Sequence, residues 1–137
     1  MIHELDYITY IMGFPKELKG YYNRLSNLEI DSEDIAVYIA KYEHSLVELH
    51  LDYFGRYPRR QVEIITNDNI IIGDIINQNI KFLKDNKTIE FQEETNDKYI
   101  LEMRTFLKMY EQKIVNTNSI LEANEVLTLA QSIEKEE

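Results

Sequence analysis

The sequence contains no cysteine and no tryptophan, and only four glycines and two prolines in 137 residues. Without cysteine the chain can form no disulfide, and it offers neither a thiolate nucleophile nor a thiolate ligand for zinc. The glycines, at positions 13, 20, 55 and 73, match neither the GxGxxG spacing nor the P-loop spacing. A glycine-rich phosphate loop is therefore excluded, and so is the Gly-x-Ser-x-Gly elbow of serine hydrolases.

Basic residues are also scarce, since 15 Lys and Arg stand against 25 Asp and Glu, for a formal net charge of −10. This balance argues against nucleic acid as a partner, because binding to a phosphate backbone depends on basic side chains. No apolar run approaches the roughly 20 residues that cross a bilayer, and no signal peptide opens the sequence. We therefore expect a cytoplasmic protein with no membrane partner and one domain over residues 1–137.

Helical periodicity is confined to the two ends of the chain. Apolar residues recur at helical spacing over residues 2–12, and Gly13 follows where a left-handed cap would end the helix. The same period returns over residues 97–114. Ser119 and Glu122 then have the spacing of a capping box, which predicts the start of a last helix.

The middle of the chain, from about residue 18 to residue 95, alternates with a period of two, which is typical of β-strands. Short polar connectors at 43–45, 67–69 and 84–87 predict three β-hairpins among five to seven strands. Segregated strands and helices indicate an α+β fold, a largely antiparallel or mixed open sheet with three helices packed on one face.

The other face of this sheet needs either water or a partner. We expect Tyr38, Tyr42, His50 and Phe54 to lie on it, a mixture of aromatic and polar side chains that suits a subunit interface. We therefore expect a homo-oligomer that forms through the open sheet face. An ordinary solvated face is the alternative, since antiparallel sheets often have one.

Two local clusters could carry chemistry. His3 and Asp6 are three residues apart on the first helix and share a face, so the imidazole could act as a general acid or base. A histidine that only pairs with a neighbouring carboxylate is the plainer interpretation. Arg56, Arg59 and Arg60 place three of the chain's five arginines together, where guanidinium groups could recognise a carboxylate or phosphate. Their alternative role is charge compensation on a strand edge.

Three parts of the sequence carry a likeness to a known family. They are a His-x-x-Asp helix with Gly-x-Pro after it, a long strand region, and a closing helix: Ile2–Tyr7, Gly13–Pro15, Leu49–Tyr53, Arg59–Ile65 and Glu122–Ala130. In these segments the sequence resembles the glucose–fructose oxidoreductase / inositol dehydrogenase (Gfo/Idh/MocA) family of NAD(P)-dependent sugar dehydrogenases. The turn at residues 67–70 departs from that family, because asparagine stands where a glycine is usual.

The resemblance implies the second domain of such an enzyme, the α+β part that binds substrate and forms oligomers, without the Rossmann cofactor domain that precedes it. In an intact enzyme His3 would assist proton transfer at the sugar hydroxyl, and Arg56, Arg59 and Arg60 would contact an anionic or nucleotide-linked sugar. NAD or NADP is implied for the full-length enzyme, whereas this chain should hold no cofactor and be inactive alone. The first helix also lacks an N-cap residue, which agrees with a truncated or split protein.

Two other functions remain open at this stage. The chain could be a stand-alone acidic α+β interaction module that dimerises through its sheet face. An enzyme that uses His3 and Asp6 unaided is a weaker possibility, because the pair lacks a nucleophile, a metal or a cofactor. An in-frame Rossmann-coding segment upstream, or in a neighbouring gene, would favour the dehydrogenase.

Overall fold

A computed structural model describes residues 2–111, 114 and 119–133 of the chain. The described residues form a helix, then seven strands, then two helices, so the α+β fold class is confirmed. The elements are α1 (Ile2–Met12), β1 (Glu17–Asn23), β2 (Ile35–Lys41), β3 (Leu46–Asp52), β4 (Gln61–Ile65), β5 (Ile70–Asp74), β6 (Asn79–Phe82), β7 (Lys87–Glu90), α2 (Asp97–Tyr110) and α3 (Ile120–Gln131).

The described strands form two antiparallel sheets, where the sequence analysis predicts one. The first sheet has the order β1-β2-β3 and the second has the order β4-β5-β6-β7. Residues 53–60 separate them, and this segment contains Gly55 and Pro58, which weaken or interrupt a strand ladder. The chain correspondingly forms two compact units, unit 1 (Met1–Gly55 with Asn116–Glu137) and unit 2 (Arg56–Val115). The single domain over residues 1–137 stays a prediction.

Local signals in the sequence account for the ends of the helices in unit 1. Gly13 has a φ of 76° and donates its N–H to the carbonyl of Thr9 at 2.8 Å, which confirms the predicted cap of α1. The capping box before α3 is also confirmed. The Ser119 hydroxyl accepts the Glu122 N–H at 3.2 Å, and the Glu122 carboxylate accepts the Ser119 N–H at 2.7 Å.

All three predicted hairpins are present, and they join β2 to β3, β4 to β5 and β6 to β7. Strand β6 begins only at Asn79, with four residues between it and the end of β5 at Asp74. The reason is a tight turn, in which the Asp74 carboxylate accepts the Asn77 N–H at 2.9 Å. This hydrogen bond and those from the side chains of Gln61 and Asn77 lower the pKa of Asp74 to about 2.

The core of unit 1 lies between the three-stranded sheet and the helices α1 and α3. Tyr38 of β2 is its largest hydrophobic side chain and is only 1% exposed. Opposite Tyr38 in the β1–β2 register lies Gly20, where an added Cβ would stand 2.7 Å from the tyrosine ring. The other members of the cluster are apolar side chains from α1, from the first sheet, and from α3 and the residues after it: Leu5, Ala36, Leu49, Val126, Ala130 and Ile133.

This packing corrects the face assignment made from the sequence. Tyr38 belongs to the face that the helices cover, and Tyr42 donates its hydroxyl to the Gly13 carbonyl after α1, on the same side. His50 does lie on the outer face, paired in register with Val37. Phe54 comes after the last residue of β3 and belongs to neither strand face. Hydrophobic alternation sorts residues into two faces but does not say which face is covered, because β2 is apolar on both.

Unit 2 consists of the four-stranded sheet and α2, and no residue that the structure describes in this unit is fully buried. The helix ends at Tyr110 rather than at residue 114 as predicted. We expected three helices to pack on one face of one sheet. The structure shows this packing for α1 and α3 only. Unit 2 leaves much of its apolar surface exposed to solvent.

Candidate functional site

His3 lies in the first turn of α1 and its side chain is exposed. Asp6 is half-buried one turn later, and its carbonyl accepts the Thr9 hydroxyl at 2.9 Å. The structure describes both His3 and Asp6, and no hydrogen bond or ion pair joins their side chains. His3 is therefore accessible to a small molecule, and the alternative in which it pairs with a neighbouring carboxylate is not seen for Asp6.

The loop between β1 and β2 is organised by one carboxylate that sequence analysis missed. Asp34 is 1% exposed, and its two oxygens accept the N–H groups of Leu25 and Ser26, each at 2.8 Å. The Ser26 hydroxyl donates to the same carboxylate. The backbone of Asp34 adds two further bonds, because its N–H reaches the Asn23 carbonyl and its carbonyl accepts the Tyr53 N–H.

These hydrogen bonds are enough to keep the Asp34 carboxyl ionised. Burial alone would raise the pKa of the carboxyl, but the Ser26 hydroxyl and the two backbone N–H groups together lower it below its usual value. A carboxylate held by three donors is a structural anchor, because its lone pairs are already used within the protein. It ties the ends of β1, β2 and β3 together.

A second acidic residue shapes the end of β3. The Asp52 carboxylate accepts the Gly55 N–H and lies 3.3 Å from Nε2 of His50. An aspartate that bonds the backbone three residues later closes a tight turn. The turn at Asp52–Gly55 is therefore the last fixed element of unit 1 before the chain enters unit 2.

The arginine segment, residues 56–60, opens unit 2 and precedes β4 without regular structure. Arg56, Arg59 and Arg60 are all exposed in it, together with Tyr57. The Arg60 carbonyl accepts the Ile75 N–H at 3.0 Å, which attaches the end of the segment to the four-stranded sheet. The three arginines are thus all exposed in one short segment, and their role as an anion site stays a prediction.

The structure places His3 in unit 1 and the arginine segment in unit 2. Each of the two predicted elements of a substrate site is accessible within its own unit. The residues that sequence reasoning missed, Asp34 and Asp52, fix the backbone around the ends of the first sheet.

Unit 1 contains one small apolar cavity of about 10 Å³, lined by side chains of α1, the first sheet and α3, among them Leu5, Tyr38 and Leu129. This volume holds one water molecule at most. A sugar cannot enter this cavity.

The Rossmann site for a dinucleotide cofactor is a parallel βαβ unit with a glycine-rich turn before its helix. Every ladder among the described strands is antiparallel, and Gly13 follows a helix instead of preceding one. The described residues therefore do not form a Rossmann dinucleotide site. Nor does the described part of the chain group three or more His, Asp or Glu residues in a way that would hold a metal ion.

None of the described helices is both long and apolar enough to cross a membrane.

No protein-family model matches the sequence, and no curated protein matches it either. Solved structures do match in fold. UDP-N-acetylglucosamine 3-dehydrogenase GnnA from Acidithiobacillus ferrooxidans superposes with a TM-score of 0.79 at 19% identity, over 96% of this chain and 43% of GnnA.

Two further structures, both assigned to the oxidoreductases, give the same result. The protein yvaA from Bacillus subtilis matches with a TM-score of 0.72 at 12% identity, over 95% of this chain and 45% of its own. A protein from Thermotoga maritima matches with a TM-score of 0.72 at 17% identity, over 94% and 40% of the two chains. The chain thus has the fold of one part of these oxidoreductases and spans less than half of their length.

Proposed function

We propose that this chain is the substrate-binding and oligomerisation part of an NAD(P)-dependent sugar or nucleotide-sugar dehydrogenase of the Gfo/Idh/MocA type. One observation carries the proposal, which is that the likeness to oxidoreductases covers 94–97% of the chain. The all-antiparallel ladders support assigning it to the part that does not bind the nucleotide. On its own the chain would then bind substrate but not transfer a hydride, because hydride transfer needs the cofactor.

The substrate we propose is a nucleoside diphosphate sugar. GnnA, which has the same fold over this chain, acts on UDP-N-acetylglucosamine, as its name states. Arg56, Arg59 and Arg60 supply guanidinium groups that pair with phosphate oxygens two at a time. His3 would accept or return the proton of the sugar hydroxyl, for which its exposed imidazole is suited.

Titration calorimetry tests this assignment with three ligands: UDP-N-acetylglucosamine, N-acetylglucosamine and NADH. We expect the nucleotide sugar to bind, the free sugar to bind more weakly, and NADH to give no signal. Replacing Arg56 and Arg59 by Gln should weaken nucleotide-sugar binding by roughly tenfold per arginine, because a charge-assisted hydrogen bond contributes about 1.5 kcal/mol or more.

The matched control replaces Lys81 and Lys84 by Gln, which removes the same charge from exposed positions of unit 2. If both double variants weaken nucleotide-sugar binding equally, the arginines act only through the general charge of the surface. Tight binding of NADH to the wild-type chain would contradict the assignment.

We also propose that the outer face of the three-stranded sheet forms the homo-oligomer. Tyr21 of β1, Ile39 of β2 and Leu46 of β3 are all exposed there, which is the kind of apolar surface that an interface covers. Ile39 lies between Lys19 and Glu48 in the register, so charged residues flank the apolar centre.

Sedimentation velocity at micromolar concentration tests this interface. We expect the wild type to associate, and Ile39→Lys to raise the dissociation constant by roughly tenfold or more, because the interface would have to bury an ammonium group and pairing with the adjacent Glu48 would not repay its lost hydration. Leu25→Lys is the control, since Leu25 is exposed in the β1–β2 loop of the same unit. Equal dissociation constants for the two variants would show that the outer face is not part of the interface.

The exposed apolar surface also favours a second candidate, a stand-alone acidic interaction module that dimerises through its sheet face. The same experiments separate the two functions. Association through Ile39 combined with no binding of any nucleotide sugar would favour the module.

A further inference from the structure

The arginine segment carries a tyrosine between its basic residues. Tyr57 is 86% exposed, more than any other large hydrophobic side chain in the described part of the chain. Its ring contacts no cation and no other ring among the residues that the structure describes. Both faces of the ring are therefore open, which makes Tyr57 available to stack on a flat ligand.

Two of the three arginines are cations without an acidic partner in the described structure. Arg56 and Arg59 form no hydrogen bond or ion pair with a described residue, although the chain has 25 Asp and Glu. From residue 53 to residue 61 the sequence contains three arginines and no acid, in a chain with a net charge of −10. Guanidinium groups so close in sequence repel each other unless an anion joins them. The donors of both side chains are thus available to an anion with several oxygens.

The backbone presents Tyr57 and these two arginines in a restricted arrangement. Pro58 fixes its own φ and restricts the backbone of Tyr57 before it. The Arg60 carbonyl accepts the Ile75 N–H at 3.0 Å, which attaches the segment to the four-stranded sheet. The two unpaired arginines are three residues apart, so their Cα atoms are separated by at most about 11 Å. Less conformational entropy is then lost on binding than in an unrestrained loop.

An open aromatic ring beside two unpaired guanidinium groups matches the chemistry of a nucleotide. The base of a nucleotide has a flat π-face that stacks on an aromatic side chain, and its phosphates accept hydrogen bonds from arginine two at a time. A sugar phosphate offers phosphate oxygens but no base. The ring therefore favours a nucleotide sugar over a sugar phosphate, a distinction that the arginines alone do not make.

We propose that Tyr57 is the stacking platform for the base of the nucleotide sugar, while Arg56 and Arg59 hold its diphosphate. The inference rests on the proposed function and deepens it, because it assigns a residue of the segment to the nucleoside. Every base has a π-face, so the platform recognises that a base is present and does not distinguish one base from another.

Titration calorimetry on the full chain tests the platform with two probes, UDP and inorganic pyrophosphate. Tyr57→Ala should raise the dissociation constant for UDP by roughly tenfold, because the stacked base loses its support, and should leave the constant for pyrophosphate unchanged. Tyr57→Phe keeps the ring and should bind UDP as the wild type does. Replacing Arg56 and Arg59 by Gln should weaken the binding of both probes, because both carry phosphate.

Tyr110→Ala is the matched control, because Tyr110 ends α2 in the same unit and is 80% exposed. It should leave both dissociation constants unchanged. Thermal unfolding checks that Tyr57→Ala folds as the wild type does, since so exposed a side chain contributes little to stability.

Equal weakening of UDP and pyrophosphate by Tyr57→Ala, or no weakening of either, would overturn the platform and leave the dehydrogenase assignment in place. Weaker binding of UDP-N-acetylglucosamine with unchanged binding of UDP would also overturn it, because the ring would then contact the sugar. Binding of UDP that depends on Tyr57, without binding of UDP-N-acetylglucosamine, would support the platform and contradict the dehydrogenase assignment. A chain that binds neither ligand would overturn both.

Discussion

Replacing Tyr38 by alanine should destabilise the protein by about 3–5 kcal/mol, the largest loss we expect from a single side chain in this molecule. Tyr38 is 1% exposed and lies in the cluster that joins the first sheet to α1 and α3. Its ring also covers Gly20 on the neighbouring strand, where it lies beside the side chain of Ile133. Truncation would leave a cavity bounded by several elements that cannot close together.

Urea unfolding followed by circular dichroism measures the effect. Tyr21→Ala is the matched control, because Tyr21 is one residue from Gly20 on the same strand but points to the outer face and is 66% exposed. It should cost less than about 1 kcal/mol. A loss of similar size in both variants would mean that Tyr38 does not hold the core together.

The hydroxyl of Tyr38 adds a pH dependence of known sign. Burial, with the negative charge that Tyr22 and Glu33 can carry, raises the pKa of Tyr38. The unfolded chain therefore ionises this group at a lower pH than the folded chain, so stability is lost as the pH rises above about 10. Tyr38→Phe should show a smaller alkaline loss than the wild type in the same unfolding experiment. Equal alkaline losses in the wild type and in Tyr38→Phe would mean that other groups cause the effect. Tyr42 is one such group, because burial raises its pKa as well.

The fold was predictable wherever a few neighbouring residues determine the structure. Gly13 ends α1, Ser119 and Glu122 start α3, and the polar connectors form hairpins, all for reasons that act within about four residues. The division into two sheets was not predictable, because each half of the strand region has the same period of two. Only the failure of residues 53–60 to continue the ladder shows where the first sheet stops.

The assignment of faces failed for a physical reason. In β2 the residues Ile35, Val37 and Ile39 alternate with Ala36, Tyr38 and Ala40, so both faces are apolar in the sequence. The structure puts the second set under the helices, where Ala36 and Ala40 are small enough to let them approach. Which of two apolar faces is covered depends on α1 and α3, which are remote in sequence from β2.

The candidate site shows the same limit. The arginine segment is visible in the sequence because its three arginines fall within five residues, and all three are exposed in the structure. Asp34 is not visible in this way, because its donors Leu25 and Ser26 lie nine and eight residues earlier in an irregular loop. A serine and an aspartate at that distance are too common to predict a contact.

Removing the Asp34 carboxylate is the second change from which we expect a large effect. In Asp34→Ala the N–H groups of Leu25 and Ser26 lose a charged acceptor that is only 1% exposed, and each hydrogen bond to a charged group contributes about 1.5–3 kcal/mol. We expect the melting temperature to fall by roughly 10 °C, with the loop between β1 and β2 becoming accessible to proteases. Asp31→Ala removes an exposed acid from the same loop and should leave the melting temperature nearly unchanged.

The pH dependence of a second variant, Asp34→Asn, separates the effect of the carboxylate's charge from the effect of its hydrogen bonds. Because the folded pKa of Asp34 lies below its unfolded value of 3.8, its contribution is present above that value and is lost as the pH falls through the folded pKa. Asp74 and Glu122 also titrate with lowered pKa values, so the informative quantity is the difference in stability between wild type and Asp34→Asn against pH. That difference should shrink on acidification below pH 4, whereas a difference that stays constant down to pH 2 would show that Asp34 acts without its charge.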